Sequence, residues 1–359
     1  MTLNPFQMLF SKKSLGIDIG TSFIKVVEIS KSRNRLKLGN YGSLSAPVLY
    51  EKPFRTFEKS TLLFSSQNIA RAILAIKEEA KIKNRKAIFS IPDFSTFFTN
   101  FELPSMTKEE LSQAVRYEAR QHVPLPLKEV VLDWQVTEGE TSEQKKTKLK
   151  ILLVAVPNEV INQYQEIARM AQLELVAMEA EVFGLLHSLI NEDDRELICL
   201  IDIGARSTTC NIIDKKVLKI SYSFDMSGNE LTRLISKGLN IDYREAENLK
   251  KKHGILLNQT LNVRQILLPL IDVILREIEK IFNNFYQKGE GKIQKVILAG
   301  GSALIPGLKE YFAENLKKEV EIANPFSNIF YPPILEKTLK EMGPSYAIAV
   351  GMALRGLRY

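Results

Sequence analysis

Two short segments of the sequence place an acid, a glycine and hydroxyl side chains directly after an apolar run. Residues 15–22 read LGIDIGTS, and residues 200–207 read LIDIGARS. Glycine permits a tight turn that brings backbone N–H groups close to a ligand, and hydroxyls supply further donors. Each segment therefore predicts a phosphate-binding turn, the alternative being an ordinary hairpin with an Asp-Ile-Gly corner. Because the pattern occurs twice, it favours the binding turn and indicates two related lobes.

The two turns assign the chemistry to individual residues. Gly20 and Gly204 would shape the backbone around the phosphates, and the hydroxyl donors would be Thr21, Ser22, Ser207 and Thr208. Asp18 and Asp202 stand at the ends of the apolar strands, where they would face a bound cation through its waters.

Composition excludes several other classes of protein. The chain has 359 residues, 45% of them hydrophobic and 25% charged, which is typical of a globular protein with two to four compact units. Its cysteines, Cys199 and Cys210, are expected on neighbouring buried strands in a reducing compartment. The three histidines show no metal-binding spacing. No apolar run reaches the ~20 residues of a membrane span, and residues 1–10 lack the basic region of a signal peptide.

The net charge of +7 comes partly from basic clusters at 31–37, 77–86, 145–150 and 250–252. Solvated surface is the first interpretation of these clusters, and attraction to an anionic membrane or an acidic partner is the alternative. Residues 1–10 are interpreted as a frayed terminus, or alternatively as an arm that touches a partner or a membrane. Aromatic residues do not alternate with the basic clusters, so no nucleic-acid module is predicted.

Hydrophobic patterning predicts the elements that hold the two turns. Each turn should lie in a three-strand meander. Between about residues 93 and 172 the pattern indicates a small α+β insertion, with a capping box at Thr107 and Glu110. Ser66 and Asn158 are expected to cap two further helices, and Glu179 is expected to begin another.

The second half of the chain adds three further signals. A largely helical stretch, 228–290, contains the pair Glu247 and Lys250, which either reaches a ligand or forms a surface pair at i,i+3. An apolar strand then meets Gly300, Gly301 and Ser302, where glycine would let the backbone pack on a flat ligand. The last signal is a helix rich in small residues that begins near residue 344 and suits close packing.

Taken together, these motifs resemble the actin-like ATPase superfamily. The resemblance implies an α/β fold with two lobes, each built on an RNase H-like core. It implies a lobe-one core of 14–92, 173–197 and 343–359 with an insertion at 93–172. It also implies a lobe-two core of 198–227 and 291–342 with a helical subdomain at 228–290.

Within the superfamily, the sequence is similar to the family of the type IV pilus assembly protein PilM, with the cell-division protein FtsA as a more distant relative. The opening S-L-G-I-D-I-G-T-S, the D-I-G-A-R-S segment and G-G-S-A-L-I-P-G-L carry this resemblance. FtsA proteins usually have more glycines in the second turn, and they normally continue into a membrane helix after the last hinge helix. The chain ends at Tyr359, which favours PilM.

The resemblance implies a role for each site residue. The phosphates would be held by Gly20, Thr21, Ser22, Lys25, Gly204, Ser207 and Thr208, and Mg²⁺ by Asp18 and Asp202. The adenosine would lie against Gly300, Gly301 and Ser302, with its ribose or adenine reached by Glu247 and Lys250. Glu179, at the head of a hinge helix, would polarise an attacking water.

The implied function is an ATP-binding cytoplasmic component of a type IV pilus or related secretion machine. It would grip the cytoplasmic N-terminal tail of a bitopic PilN-like protein, in a groove between the insertion and the rest of lobe one, and so lie peripheral to the inner membrane. A homodimer or filament, an FtsA-like division protein, a small-molecule kinase and a nucleotide-free adaptor are the alternatives. The sequence leaves the rate of ATP hydrolysis open.

Overall fold

The computed structural model describes residues 12–33, 35–45, 65–139, 148–256, 262–289 and 291–358. The predictions for residues 1–10 and for part of the basic cluster at 145–150 lie outside these ranges. In the described part of the chain, no helix is both long enough and apolar enough to cross a membrane.

The strands and helices are defined as follows. The strands are β1 (Lys12–Ile19), β2 (Phe23–Ser32), β3 (Arg35–Ser45), β4 (Lys86–Ile91), β5 (Phe97–Leu103), β6 (Val130–Glu138), β7 (Leu149–Pro157), β8 (Glu174–Ala180), β9 (Leu197–Ile203), β10 (Thr208–Asp214), β11 (Val217–Phe224), β12 (Lys295–Ala299) and β13 (Glu319–Ile322). The helices are α1 (Ser66–Glu79), α2 (Lys108–His122), α3 (Asn158–Met170), α4 (Glu181–Leu189), α5 (Gly228–Leu239), α6 (Tyr243–His253), α7 (Val263–Gln287), α8 (Leu308–Leu316) and α9 (Glu336–Gly356).

Two five-stranded sheets have the same design. The first has the order β3-β2-β1-β4-β8, and the second has the order β11-β10-β9-β12-β13. In each order, the first three strands are antiparallel to their neighbours, and the last two run parallel to the central strand, β1 or β9. The buried strands are apolar on both faces, as expected for sheets covered on both sides. The duplicated core predicted from the two glycine turns is therefore confirmed.

A third sheet, β5-β7-β6, lies between β4 and β8 in the chain and is antiparallel. Apolar residues of α2 pack on this sheet, whereas α3 contributes Val160, Tyr164 and Ile167 to the core beneath α1. The helices α5, α6 and α7 form the largely helical stretch between β11 and β12. An α+β insertion and a helical part are thus present as expected, and the residue boundaries of the four subdomains stay a prediction.

The helices α4 and α9 pack on each other between the two large sheets. Val182 and Leu185 of α4 share a core with Ile348 of α9, with Ile88 of the first sheet and with Leu200 of the second. The small residues of α9 permit very close approach. A Cβ added to Gly351 would lie 1.8 Å from the carbonyl oxygen of Gly184, and one added to Gly16 would lie 1.8 Å from that of Ala349.

Some predicted helix ends are confirmed and others are wrong. The capping box is present, because Thr107 N donates to Glu110 at 3.0 Å and Glu110 N donates to the Thr107 hydroxyl at 3.3 Å. Ser66 does not cap α1. The cap is Ser65, whose hydroxyl accepts from Asn68 N, while the Ser66 hydroxyl donates to Glu166 at 2.9 Å.

Asn158 also differs from its predicted role, since it is the first residue of α3 and its side chain donates to the carbonyl of Lys128 at 2.8 Å. The last helix begins earlier than expected, at Glu336, with Pro344 inside it. The Pro344 carbonyl accepts from Gly300 N at 3.0 Å, which joins α9 to the glycine turn of the second lobe.

The two cysteines lie on β9 and β10 as predicted, buried and reduced, with their sulfurs 3.3 Å apart.

The crossing of α4 and α9 gives a test of the fold. Gly351→Ala should lower the free energy of unfolding by about 3 kcal/mol or more, because its methyl group meets backbone that can yield only if the helices separate. Gly343→Ala, in the same helix, is the matched control. Its methyl group would lie 3.3 Å from Pro325, a tight contact but a far longer one than at Gly351, and we expect a clearly smaller loss of stability. Chemical denaturation of both variants measures this difference, and equal effects would contradict the proposed crossing.

Candidate nucleotide site

The two glycine turns contain the same backbone hydrogen bond. Gly20 N–H donates to the carbonyl of Phe23 at 3.0 Å, and Gly204 N–H donates to the carbonyl of Ser207 at 3.0 Å. A Cβ at either glycine would lie 3.0 Å from that same carbonyl oxygen. Glycine is therefore favoured in both turns by the tightness of the loop rather than by a left-handed backbone, since neither residue has a positive φ.

The predicted hydroxyl donors do not all point to the same place. Thr21, Ser22 and Ser207 are half-buried in the two turns and remain accessible. Thr208 is fully buried, and its hydroxyl donates to the carbonyl of Met226 at 2.6 Å. Thr208 therefore fixes the start of β10, and its hydroxyl is buried where a phosphate could not reach it.

Asp18 is held by two neighbouring strands. It faces Lys25 directly across the β1–β2 ladder, and the Lys25 ammonium donates to its Oδ2 at 2.9 Å. The Ser90 hydroxyl of β4 donates to the other carboxylate oxygen at 3.0 Å. Both oxygens of this buried carboxylate are thus partnered, as buried charges require.

Asp202 is the counterpart of Asp18 in the second lobe, and its charge acts on the same lysine. Burial raises the pKa of Asp202 to about 6, with Lys25 opposing the shift and Asp18 adding to it. Burial alone would lower the pKa of Lys25, but Asp18 and Asp202 outweigh burial and raise it. One ammonium group therefore balances acids from both lobes.

The glycine turn at 300–302 closes the second lobe behind Asp202. Gly300 has φ of +85°, and a Cβ there would lie 2.4 Å from Asp202 Oδ1. A Cβ on Gly301 would meet nothing within 4 Å, so this residue borders open space. Ser302 is buried behind it. A flat ligand could therefore pack against the backbone of this turn, in contact with Gly301.

Lys250 is buried and Glu247 is partly buried, so this i,i+3 pair lies largely beneath the surface. The Lys250 ammonium is 2.7 Å from Glu247 and donates to the carbonyl of Gly228 at 2.9 Å. Gly228 N–H in turn donates to the carbonyl of Gly204 at 2.9 Å. Burial lowers the pKa of Lys250, with Glu247 opposing it. Lys250 thus supports the second glycine turn from behind.

Glu179 is not at the head of a helix, contrary to the sequence prediction. It lies in β8, where it accepts from Arg355 of α9 and is 2.9 Å from His187 of α4. The first residue of α4 is Glu181. The prediction was misplaced by two residues because β8 continues directly into α4 without a loop.

Asp93 and Glu181 form a reciprocal pair that the sequence interpretation missed. Asp93 N–H donates to the Glu181 carboxylate at 3.2 Å, and Val182 N–H donates to the Asp93 carboxylate at 3.1 Å. Burial raises the pKa of Asp93 to about 8, and burial together with Asp93, Asp18 and Asp202 raises that of Glu181. The available signal was an acid directly after Pro92 at the end of a buried strand.

Residues 93–95 also contact the second lobe. The Arg206 guanidinium, in the second glycine turn, lies 4.6 Å from the centre of the Phe94 ring. This cation–π geometry joins the start of the insertion to the turn that would hold phosphate.

The carboxylates fit a magnesium ion held through water better than one held directly. Among the described residues, no group of three His, Cys, Asp or Glu side chains is placed to bind a metal together. The oxygens of Asp18 are already partnered by Lys25 and Ser90. Nevertheless, Asp18, Asp93, Glu181 and Asp202 influence one another's pKa values and so lie near each other, with Lys25 bonded to Asp18. This group of acids suits a hydrated divalent cation.

The family model for the "Type IV pilus assembly protein PilM" matches residues 16–357. This chain belongs to the PilM family. Among solved structures, it is similar to the "PilM-PilN type IV pilus biogenesis complex", with 24% identity, a TM-score of 0.82, and coverage of 96% of this chain and 98% of the other. The prediction of family membership is confirmed.

More distant relatives extend the comparison. MreB 5 of Spiroplasma citri, solved with AMPPNP, has 15% identity, a TM-score of 0.52 and coverage of 95% and 94%. FtsA of Enterococcus hirae is 22% identical over 94% of this chain and 86% of its own length. FtsA of Rhizobium meliloti is 24% identical over 51% of this chain, an alignment spanning 46% of that protein. These similarities confirm the two-lobed actin-like fold.

The buried Asp93 predicts a pH dependence of stability. Its pKa is raised from 3.8 to about 8 in the folded protein, so between these values the folded state holds a proton that the unfolded state releases. The free energy of unfolding should therefore fall as the pH rises through this interval.

Asp93→Asn keeps an oxygen acceptor for Val182 N–H but cannot ionise, so its stability should depend less on pH. Denaturation of both proteins between about pH 5 and pH 8 measures the difference. Parallel stability curves for the two proteins would contradict the assignment.

Proposed function

We propose that this PilM-family protein binds ATP with Mg²⁺ in the cleft between its two lobes. The matched turns at Gly20 and Gly204, each with the same 3.0 Å hydrogen bond, are the observation that carries this proposal. Backbone N–H groups at the two turns and the hydroxyls of Thr21, Ser22 and Ser207 would hold the phosphates. Lys25, tethered to Asp18, supplies the nearby positive charge.

The second lobe would bind the nucleoside. Gly301 borders open space, and Gly300 and Ser302 fix the turn that presents it. Glu247 and Lys250 would act mainly by supporting this turn through Gly228. Asp18 and Asp202 would hold the waters of Mg²⁺, whose charge would offset that of the phosphates.

Hydrolysis, if it occurs, needs a group that positions and polarises a water molecule. Glu181 suits this role better than Glu179, because Glu179 is tied to Arg355 and His187 away from the other acids. Glu181 is influenced by Asp18, Asp93 and Asp202 and so lies among the cleft carboxylates. Its raised pKa lowers the fraction of Glu181 that is ionised and able to accept a proton from water, which would slow turnover.

Isothermal titration calorimetry with Mg-ATP tests the nucleotide proposal. The wild type should bind, and Asp202→Asn should bind at least ten-fold more weakly because the variant loses a charge that faces the cation. Asp225→Asn removes an exposed carboxylate after β11 and should bind like the wild type. A wild type that does not bind Mg-ATP would refute the proposal.

The partner that we propose is the cytoplasmic N-terminal tail of a bitopic PilN-like membrane protein. Family membership and the similarity to a PilM-PilN complex support this choice. The tail would lie in a groove between the insertion and the rest of lobe one, and the protein would be cytoplasmic and held at the inner membrane by this partner. Homodimers or filaments are compatible with the fold and would be measured by light scattering with ATP.

The contacts of residues 93–95 suggest how nucleotide and partner binding would be coupled. This turn begins the insertion, pairs with α4 through Glu181 and contacts the second lobe through Arg206. A phosphate that attracts the Arg206 guanidinium would weaken its contact with the Phe94 ring. The insertion would then shift relative to the rest of lobe one.

Peptide-binding measurements with and without Mg-ATP test this coupling, using the tail peptide of the PilN-like protein from the same organism. In the wild type, Mg-ATP should change the dissociation constant about five-fold or more, and Phe94→Leu should reduce this factor. Phe97→Leu, a similarly exposed phenylalanine of the insertion, is the control and should retain it. If Phe94→Leu keeps the wild-type factor, the coupling does not pass through this contact.

A further inference from the structure

One end of the first sheet carries a concentration of exposed positive charge. Five of its cations lie where β1 begins and around the β2–β3 turn: Lys12, Lys13, Lys31, Arg33 and Arg35. Four more lie between α1 and β4: Lys81, Lys83, Arg85 and Lys86. We call these nine residues the basic face. Because β1 and β4 are parallel neighbours and β2 is antiparallel to β1, all three segments meet at the same end of the sheet.

The basic face is poorly neutralised by the protein itself. Lys13 pairs with Glu28 at 3.1 Å, and Lys86 pairs with Glu174 at 3.8 Å. The other seven cations form no ion pair within the described residues. In the described part of the chain, the acids beside these cations are Glu28, Glu174 and the exposed pair Glu78 and Glu79 at the end of α1, so positive charge predominates there.

The strand register increases the crowding of these charges. Lys12 and Lys31 are direct partners across the β1–β2 ladder, and like charges in this position destabilise a sheet. Burial lowers the pKa of Lys77, and the charge of Arg85 lowers it further. The fold thus holds cations together at a cost, which an external anionic surface would relieve.

The chemistry of the face favours a bilayer over a protein or a nucleic acid. Among the described residues of the three segments that form this face, no large apolar side chain is exposed, and the exposed Phe330 lies at its border, paired with Leu36 and Leu38 of β3. Protein interfaces are usually anchored by such side chains, and single-stranded nucleic acids are usually bound with aromatic stacking. Lysines and arginines spread over three chain segments match the diffuse negative charge of anionic lipid headgroups.

From these observations we propose that the basic face binds anionic phospholipid headgroups directly, independently of any membrane-protein partner. The face lies at the opposite end of β1 from Asp18, which follows Lys12 by six residue steps along the strand, about 20 Å. Contact with lipid at this face would therefore leave the cleft between the lobes accessible. Binding should be electrostatic, and so should weaken as the salt concentration rises.

Vesicle flotation tests the proposal with the full chain. The wild type should float with vesicles of phosphatidylcholine and phosphatidylglycerol at low salt, but should not float with phosphatidylcholine alone. Lys31→Glu combined with Lys83→Glu should reduce the partition coefficient at least ten-fold, because each cation near an anionic surface contributes roughly five-fold. All variants should unfold at the same temperature as the wild type, since the changed side chains are exposed.

The control is Lys237→Glu combined with Lys309→Glu, which makes the same change in net charge on exposed helical positions of the second lobe. This control should bind within about two-fold of the wild type. Three results would overturn the proposal: no flotation of the wild type with anionic vesicles, an equal loss in the control, or binding to polyglutamate or duplex DNA without binding to vesicles.

Discussion

The ion pair between Lys25 and Asp18 is the interaction around which the cleft is built. Two strands that end in buried carboxylates, one in each lobe, lie near each other in surroundings of low dielectric constant. Such acids repel each other and resist ionisation, as the raised pKa of Asp202 shows. The Lys25 ammonium is hydrogen-bonded to Asp18 across the β1–β2 ladder and also attracts Asp202. Its single charge cannot balance both of these carboxylates, so a cationic ligand beside them would be favoured.

The second lobe uses lysine in a different way. Lys250 does not face the acids of the first lobe but reaches the carbonyl of Gly228 and the hydroxyl of Thr232. Gly228 N–H is hydrogen-bonded to the carbonyl of Gly204, and the Ser302 hydroxyl occupies the space that a side chain at position 228 would need. The helical part of the lobe is thereby connected to the glycine turn. A ligand that orders this turn would also order α5 and α6, which extends its influence well beyond the residues it touches.

Much of this architecture was predictable because it depends on local patterns. The repeated Asp-Ile-Gly turn predicted two matching sheets, and the Gly-Gly-Ser segment predicted the turn that follows β12. The role of that turn against a nucleoside stays a prediction. Predictions failed where the outcome depended on tertiary neighbours. Glu179 and Glu181 are both suitable residues near a helix start, and only the pairing of β8 with β4 decides which one enters the helix. Similarly, nothing local in the sequence indicates that Thr208 is bonded to Met226, or that Asp93 meets an acid from α4.

The contact between Gly184 and Gly351 has a consequence for motion. Where two helices touch through side chains, rotation of one against the other requires rotamers to change and interdigitated groups to separate. Here backbone meets backbone at the closest point, and Val182, Leu185 and Ile348 pack around it. Rotation of α4 against α9 would separate these side chains as well, so the two helices should keep their mutual geometry when the lobes move. A ligand in the cleft would then reorient the lobes about a helix pair that itself stays constant.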